Sequence, residues 1–384
     1  MQRSVRPPLE SKLAFLRDPL SYADRTVRVE IIETHFAWVF LTARHAYKLK
    51  KPLRQAVMDY RTRAARRMGC REELRLNRRL APSVYLAVVP LSTDRSGALK
   101  LGPGARVEDW LVKMRRLPAA KMLDRILTRG TIATARLDPL LRRLAKFYRR
   151  ARRHPMDGSS YVRRLRRQIT ANRRTLRRFG ARLQQRLVES VGDAQLECAA
   201  RLRTALALRG ARAVEGHGDL RPEHVCLGPP LCVIDCVEFD RDLRLLDPFE
   251  EMAFLALEIE RLGHLALAVG LVRRAGVLDS EDVPDAVVHF YMSHRAATRA
   301  RLAAWHLGDP QFPDPRPWIA RTHSYLRDAL RHARRARCLA SPAELQIRGW
   351  PAFEQGRKRR AADDSRHGLP KERSDRQDRD LRVS

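Results

Sequence analysis

The spacing of apolar residues changes once along this 384-residue chain, near Arg115-Arg116-Leu117-Pro118. Before that point the pattern alternates in short β-branched runs. After it, apolar residues recur every three or four positions, the rhythm of helices. A single change of this kind dictates a sheet-rich front lobe followed by a helix-rich back lobe. The crevice between two such lobes is the natural place for a ligand.

Residues 1–24 read as an N-terminal arm or short helix. Val27–Thr34, Trp38–Thr42 and Ala46–Lys50 read as three strands with short connections, an antiparallel meander closed by Pro52. From about Tyr60 to Leu80 the pattern is helical, with Glu73, Leu76 and Leu80 on one face. Val84–Leu91 and Val107–Met114 are further strands, joined by a loop that contains Gly97, Gly102, Pro103 and Gly104. Residues 25–115 are thus predicted to form a five-strand sheet with one inserted helix. Residues 116–340 are predicted to form the helical lobe. Its helices fall over Met122–Leu127, Leu137–Arg150, Tyr161–Leu187, Ala194–Leu208 and Phe249–Leu262, and continue to about Leu339. Residues 341–384 are charged and nearly free of apolar side chains, which predicts a disordered basic tail.

The formal net charge of +33 brings nucleic acid to mind as a partner. The basic residues, however, comprise 10 lysines against 67 arginines, a skew that inflates arginine at surface positions in general. They also run along helices instead of alternating with aromatics. In the densest stretch, Tyr161–Arg178, the residues Val162, Leu165, Ile169 and Leu176 fit one apolar stripe and the arginines fit the solvated face. Nucleic acid is therefore the disfavoured partner. No run of 18 apolar residues occurs, so a membrane-spanning helix is not expected. The N-terminus does not read as a secretory signal, and a cytoplasmic location is expected. Of six scattered cysteines, Cys232 and Cys236 lie four apart but flank a short strand. No second Cys or His pair has metal-binding spacing, so reduced, buried cysteines are expected.

One segment interrupts the helices: Gly216-His217-Gly218-Asp219-Leu220-Arg221-Pro222-Glu223-His224, followed by Val233-Ile234-Asp235. A loop presents one aspartate, and a short apolar strand delivers a second one 16 residues later. Two carboxylates so placed suit phosphoryl transfer: one orients the attacking hydroxyl, the other holds the magnesium that bridges nucleotide phosphates. Asp240 is a weaker metal candidate. Asp247 precedes Pro248 and an apolar helix, with Glu250 and Glu251 in its first turn, and reads as an N-cap.

The order His217-Gly218-Asp219, Ile234-Asp235, Leu246-Asp247-Pro248 resembles the aminoglycoside phosphotransferase-like family over residues 25–305. The resemblance implies an α+β, protein-kinase-like bilobal fold with a small sheet-rich N-lobe and a larger helical C-lobe. It implies an ATP- and Mg2+-dependent transfer of phosphate to a hydroxyl of a small-molecule acceptor. It places Asp219 at the catalytic-base position and Asp235 at the metal position. His217 fits a buried scaffold better than a proton carrier. The strand lysine is Lys50 or Lys48, with the Tyr-x-Leu-basic-basic-Pro register favouring Lys50. Glu73 is its partner, with Glu72 as runner-up. Met114, at the junction of the lobes, is a further nucleotide-binding candidate.

The chain departs from the family pattern at three places. His224 stands where a metal-binding Asn is expected, an imidazole being a poorer magnesium ligand; either Glu223 or a water substitutes, or the second metal site is weak. The turn Glu33–Trp38 contains no glycine, which leaves Thr34 or His35 to contact the phosphates. Cys236-Val237 follows Asp235 in place of Phe-Gly. Two other readings stand beside the enzyme: a catalytically weak kinase-fold protein that binds nucleotide or a partner, and a basic nucleic-acid-binding protein.

Overall fold

The computed structural model describes residues 6–55, 58–279, 283–308 and 312–340; the predicted tail at 341–384 lies outside them. The front of the chain is an antiparallel sheet. Strands β1 (Glu30–Glu33), β2 (Ala37–Leu41) and β3 (His45–Lys50) form the expected meander. A minor hairpin follows, β4 (Arg54–Gln55) and β5 (Met58–Asp59). Strands β6 (Tyr85–Thr93), β7 (Leu99–Leu101) and β8 (Arg106–Arg115) complete a six-stranded sheet in the order β1-β2-β3-β8-β6-β7. The sequence predicts five strands. The sixth, β7, lies inside the glycine-rich connection, where three residues are too few for an alternation to be read.

Alternation of side chains along β3 gives the sheet two different faces. Tyr47 and Leu49 point to one face, in a cluster with Leu16, Trp38, Phe40, Leu91 and Leu111. Leu16 comes from helix α1 (Leu9–Arg17), which closes that face. Lys12 on α1 donates to Asp109 at 3.0 Å, and Arg66 donates to the same carboxylate at 2.8 Å. Ala46 points to the other face, with Cys70 of helix α2 (Arg63–Asn77) and with Val84, Tyr85, Val112 and Met114. Cys226 and Cys232 belong to this second cluster, so the sheet shares a core with a hairpin from the back of the chain.

The helical part contains α3 (Leu123–Arg129), α4 (Asp138–Arg150), α5 (Gly158–Arg177), α6 (Gln185–Arg201) and α7 (Arg203–Gly210), then α8 (Pro248–Arg261), α9 (Leu265–Asp279), α10 (Asp285–Trp305) and α11 (Arg316–Leu339). The stripe predicted on α5 is buried at Val162, Leu165, Ile169 and Leu176. The single helix predicted over Tyr161–Leu187 breaks, however. Helix α5 stops at Arg177, and Gly180, at φ +50 in the left-handed region, redirects the chain toward α6. Between α7 and α8 lie short pairs: β9 (Val214–Glu215) with β12 (Leu245–Leu246), and β10 (Val225–Cys226) with β11 (Cys232–Val233). Asp247 caps α8 by accepting from Phe249 N at 3.1 Å, with Pro248 in the first turn. Five of the six cysteines are free and buried, whereas Cys338 is exposed, contrary to the expectation that all six are buried.

Candidate active site

Two lysines meet one glutamate where β3 faces α2. Lys48 and Lys50 leave the strand on the α2 side because alternate residues share a face. Glu73, fully buried, receives Lys48 Nζ at 2.9 Å on Oε1 and Lys50 Nζ at 2.6 Å on Oε2. Burial pushes the Glu73 carboxyl up, and the two ammonium groups outweigh it and hold it below its ordinary value. The lysines then part. Lys50, 2% exposed, continues to Glu238, while Lys48 continues to Asp235 Oδ1 at 2.7 Å. The register favours Lys50 as the cleft lysine; the structure turns Lys48 to Asp235 and seats Lys50 deeper, because Glu238 takes up its charge. Glu72, the runner-up to Glu73, turns away to Arg75 at 2.6 Å.

The loop after β9 is shaped by a carboxylate behind it. Glu251 on α8 accepts from the backbone amides of His217, at 2.8 Å, and of Gly218, and from Tyr148 Oη at 2.7 Å. Burial raises its pKa against these donors. A Cβ on Gly216 would lie 2.8 Å from Glu251 Oε2, so only glycine fits there. His217 is 1% exposed. Its Nε2 is 2.9 Å from the Ile234 carbonyl, and its Nδ1 is 3.3 Å from Asp219 N. Burial, reinforced by His224, depresses its pKa to about 3. The ring is therefore neutral, donates at Nε2 and accepts at Nδ1, with neither nitrogen left for a substrate.

Asp219 stands at the end of this loop. Arg221 Nε and Nη2 reach its Oδ2 at 3.0 and 2.9 Å. Burial pushes the carboxyl up, but Arg221, then His224 and Arg299, hold it at about 2. Asp235 follows β11 with φ +62, a left-handed conformation that a non-glycine residue adopts at a cost. Two groups from the front sheet and α2 hold it there. Asp235 N donates to Tyr85 Oη at 3.1 Å, and Cys236 N donates to Asn77 Oδ1 at 2.9 Å. The Asp235 side chain is 45% exposed and its carboxyl lies well below the ordinary range: desolvation opposes this, and Lys48 and His224 outweigh it.

His224 lies between the two aspartates. Its Nδ1 is 3.7 Å from Asp219 Oδ2 and its Nε2 is 3.6 Å from Asp235 Oδ2, so one imidazole ring separates the carboxylates. Nδ1 also lies 2.8 Å from the Asp219 carbonyl, and Nε2 lies 3.2 Å from Arg221 Nη2. The ring is thus engaged at both nitrogens by neighbouring groups. Glu223 is taken up by Arg221, and Asp240 accepts from Asp242 N at 2.8 Å. Among the described residues no group of three or more His, Cys, Asp or Glu side chains could hold a metal ion. The half-exposed carboxylate of Asp235 is the hard oxygen donor that would hold a magnesium ion here.

Met114 is buried in the cluster with Ala46, Tyr85 and Cys226. In the turn between β1 and β2, the Thr34 hydroxyl closes the backbone at Ala37 O, 2.9 Å away, and the His35 ring packs 5.2 Å from that of His306. Sequence reasoning missed Arg221, Glu238, Asn77, Tyr85 and Glu251. Only Arg221 carried a local signal, as a cation two residues past the aspartate of an already conspicuous loop.

Residues 46–282 match the sequence model of a family described as the phosphotransferase enzyme family. An uncharacterized protein of Mycobacterium tuberculosis is 30% identical over 286 residues, 71% of this chain and 54% of the relative. A protein of Mycobacterium bovis matches equally. The chain therefore spans about half the length of the curated relatives it matches. Among solved structures, a choline/ethanolamine kinase family protein from Mesorhizobium loti superposes with a TM-score of 0.50 at 16% identity, covering 85% of this chain and 98% of that one. The GDP complex of wild-type aminoglycoside 2'-phosphotransferase-IIIa superposes with a TM-score of 0.51 at 15% identity, covering 84% and 98%.

Proposed function

The chain belongs to the phosphotransferase enzyme family and has the protein-kinase-like fold, and on that premise we propose that it transfers the terminal phosphoryl group of ATP to a hydroxyl of a small molecule. The observation that carries this reading is the convergence of Asp219 and Asp235 on the two sides of His224, with Lys48 closing on Asp235 from the front sheet. Asp219 accepts the hydroxyl proton as the acceptor oxygen bonds to the γ-phosphorus. The bond from that phosphorus to the β,γ-bridging oxygen breaks, and ADP departs with the bridging oxygen. Because Arg221 keeps Asp219 ionised, the base is ready at neutral pH and acts chiefly by aligning the hydroxyl.

Lys48 exchanges its contact with Asp235 for phosphate oxygens of the nucleotide, and Glu73 keeps the ammonium aimed. Asp235 is the residue that would hold magnesium, which neutralises charge on the phosphates. His217 and Glu251 set the backbone from which Asp219 projects. The direct test is ADP release from ATP, and in parallel GDP release from GTP, with magnesium and a panel of hydroxyl acceptors. Turnover that survives Asp219→Ala and Asp235→Ala at the unmutated rate rules the proposal out. The geometry at His224 favours a second reading of the same site. With its Nε2 turned to Arg221, it furnishes no second metal ligand, and a nucleotide-binding protein of low turnover follows. That version predicts thermal stabilisation by nucleotide with little ADP formed.

A further inference from the structure

Helix α10 runs directly behind the loop that carries Asp219. Arg295 on α10 donates to the Gly218 carbonyl at 3.3 Å and is neutralised by Glu250 at 2.8 Å. One turn later, on the same side of the helix, stands Arg299. Among the described residues Arg299 has no hydrogen bond and no ion pair. Its Nε is buried without a partner, and its guanidinium lies 5.8 Å above the ring of Tyr325. Its charge reaches both Asp219 and Glu258 and favours the ionised form of each. A buried donor without an acceptor is uncommon and needs an explanation.

The acids that would welcome a cationic acceptor on this side are already committed. Glu258 accepts from Tyr325 Oη at 2.9 Å, Asp328 is paired with Arg261, and Glu260 with Arg331 and His332. Glu223 is spent on Arg221. What remains beside Asp219 is spare positive charge. We propose that Arg299 is an oxyanion subsite for the acceptor, so that the hydroxyl phosphorylated here belongs to a molecule that also bears a carboxylate or a phosphate group. This rests on the phosphoryl-transfer reading above. It adds that the guanidinium pairs with the anionic end of the acceptor, in the two-pronged way arginine binds such groups, while Asp219 takes the hydroxyl proton at the other end.

The test uses the full chain and acceptors matched in all but charge: glycerol, D-glycerate and glycerol 3-phosphate; glucose, gluconate, glucose 6-phosphate and glucosamine. ADP release gives kcat and KM for each. The expected result is a KM at least tenfold lower for the anionic members of a set. Arg299→Met should raise that KM at least tenfold at nearly unchanged kcat. Arg301→Met removes the same charge from α10 about 200° further round the helix and should leave the preference in place. Whether carboxylates or phosphates lead identifies the anion. Preference for a neutral or cationic member overturns the inference. So does an Arg299→Met variant whose kcat falls alike for every acceptor, since the guanidinium then serves the transferred phosphoryl group. If nothing is phosphorylated, calorimetric titration of D-glycerate and glucose 6-phosphate into protein loaded with a non-hydrolysable ATP analogue separates the two ideas. Binding lost in Arg299→Met upholds the subsite and assigns the failure to the phosphoryl-transfer reading. Absence of binding overturns the subsite.

Discussion

Single residues in the cleft carry distinct and separable consequences. Asp219→Asn removes the proposed base but keeps the shape, so kcat should fall by about 10²- to 10⁴-fold with nucleotide affinity nearly intact. Arg221 sets the protonation of that base. With Arg221→Met the largest influence opposing burial is lost, so the Asp219 pKa rises and the acid limb of the kcat–pH profile moves to higher pH. An unmoved limb contradicts this account. Lys48 and Lys50 look interchangeable in the sequence, being two apart on one strand, and alternation cannot choose between them. The choice is made by Glu238, whose contact with Lys50 links residues far apart in the chain. Lys48→Met should therefore abolish turnover at little cost in stability, since Glu73 keeps Lys50. Lys50→Met strands Glu238 and should cost about 3–5 kcal/mol in unfolding free energy. Thermal melts and kcat on the same pair of variants read both effects.

At the scale of elements, what was legible followed from repetition and what was not followed from distance. The β1–β3 meander, α2, β6 and β8 each repeat a pattern over at least four residues, and each was found within a few residues of its place. The cap of α8 was legible because Asp247-Pro248 is local chemistry. The break between α5 and α6 was not, since arginines and leucines keep a helical rhythm across Gly180 and only its φ betrays the turn. Nor could the sequence show that α2 reaches beyond its own lobe. Asn77, at its last turn, donates to the Glu73 carbonyl at 2.9 Å and accepts from Cys236 N at 2.9 Å. It thus fastens the backbone next to Asp235 to the helix that carries Glu73. Asn77→Ala leaves a buried amide unpaired and should lower stability by about 1–3 kcal/mol. It should also loosen Asp235, so that KM for nucleotide–magnesium rises. Tyr85→Phe removes the companion contact and should act in the same direction.

Taken whole, the chain answers to acid through groups that no one element determines. His217, held near 3, and His289, lowered to about 4 by burial and by His332, stay neutral when folded and take protons near 6.5 when unfolded. The unfolded state therefore binds more protons below about pH 6.5, and stability falls with pH by at most about 1.4 kcal/mol per unit for each ring. Glu250, held at about 2 chiefly by Arg295 against burial, adds a loss as pH drops from 4.5 toward 2. Glu251 and Glu258, pushed up by burial, act in the opposite sense and flatten the slope. The melting temperature should be level above about pH 7 and decline below 6.5, and calorimetry showing no decline by pH 5 refutes this. Some of the arginines are paired within the chain: Arg173 and Arg177 on α5 close on Glu189 of α6, as Arg331 closes on Glu260. The grip of Glu251 on the amides of His217 and Gly218 has a last consequence. Those two amides sit in a loop, yet their bonds end on the interior of α8. Their deuterium uptake should be as slow as that of the helix. The platform beneath Asp219 is thereby tied to the body of α8.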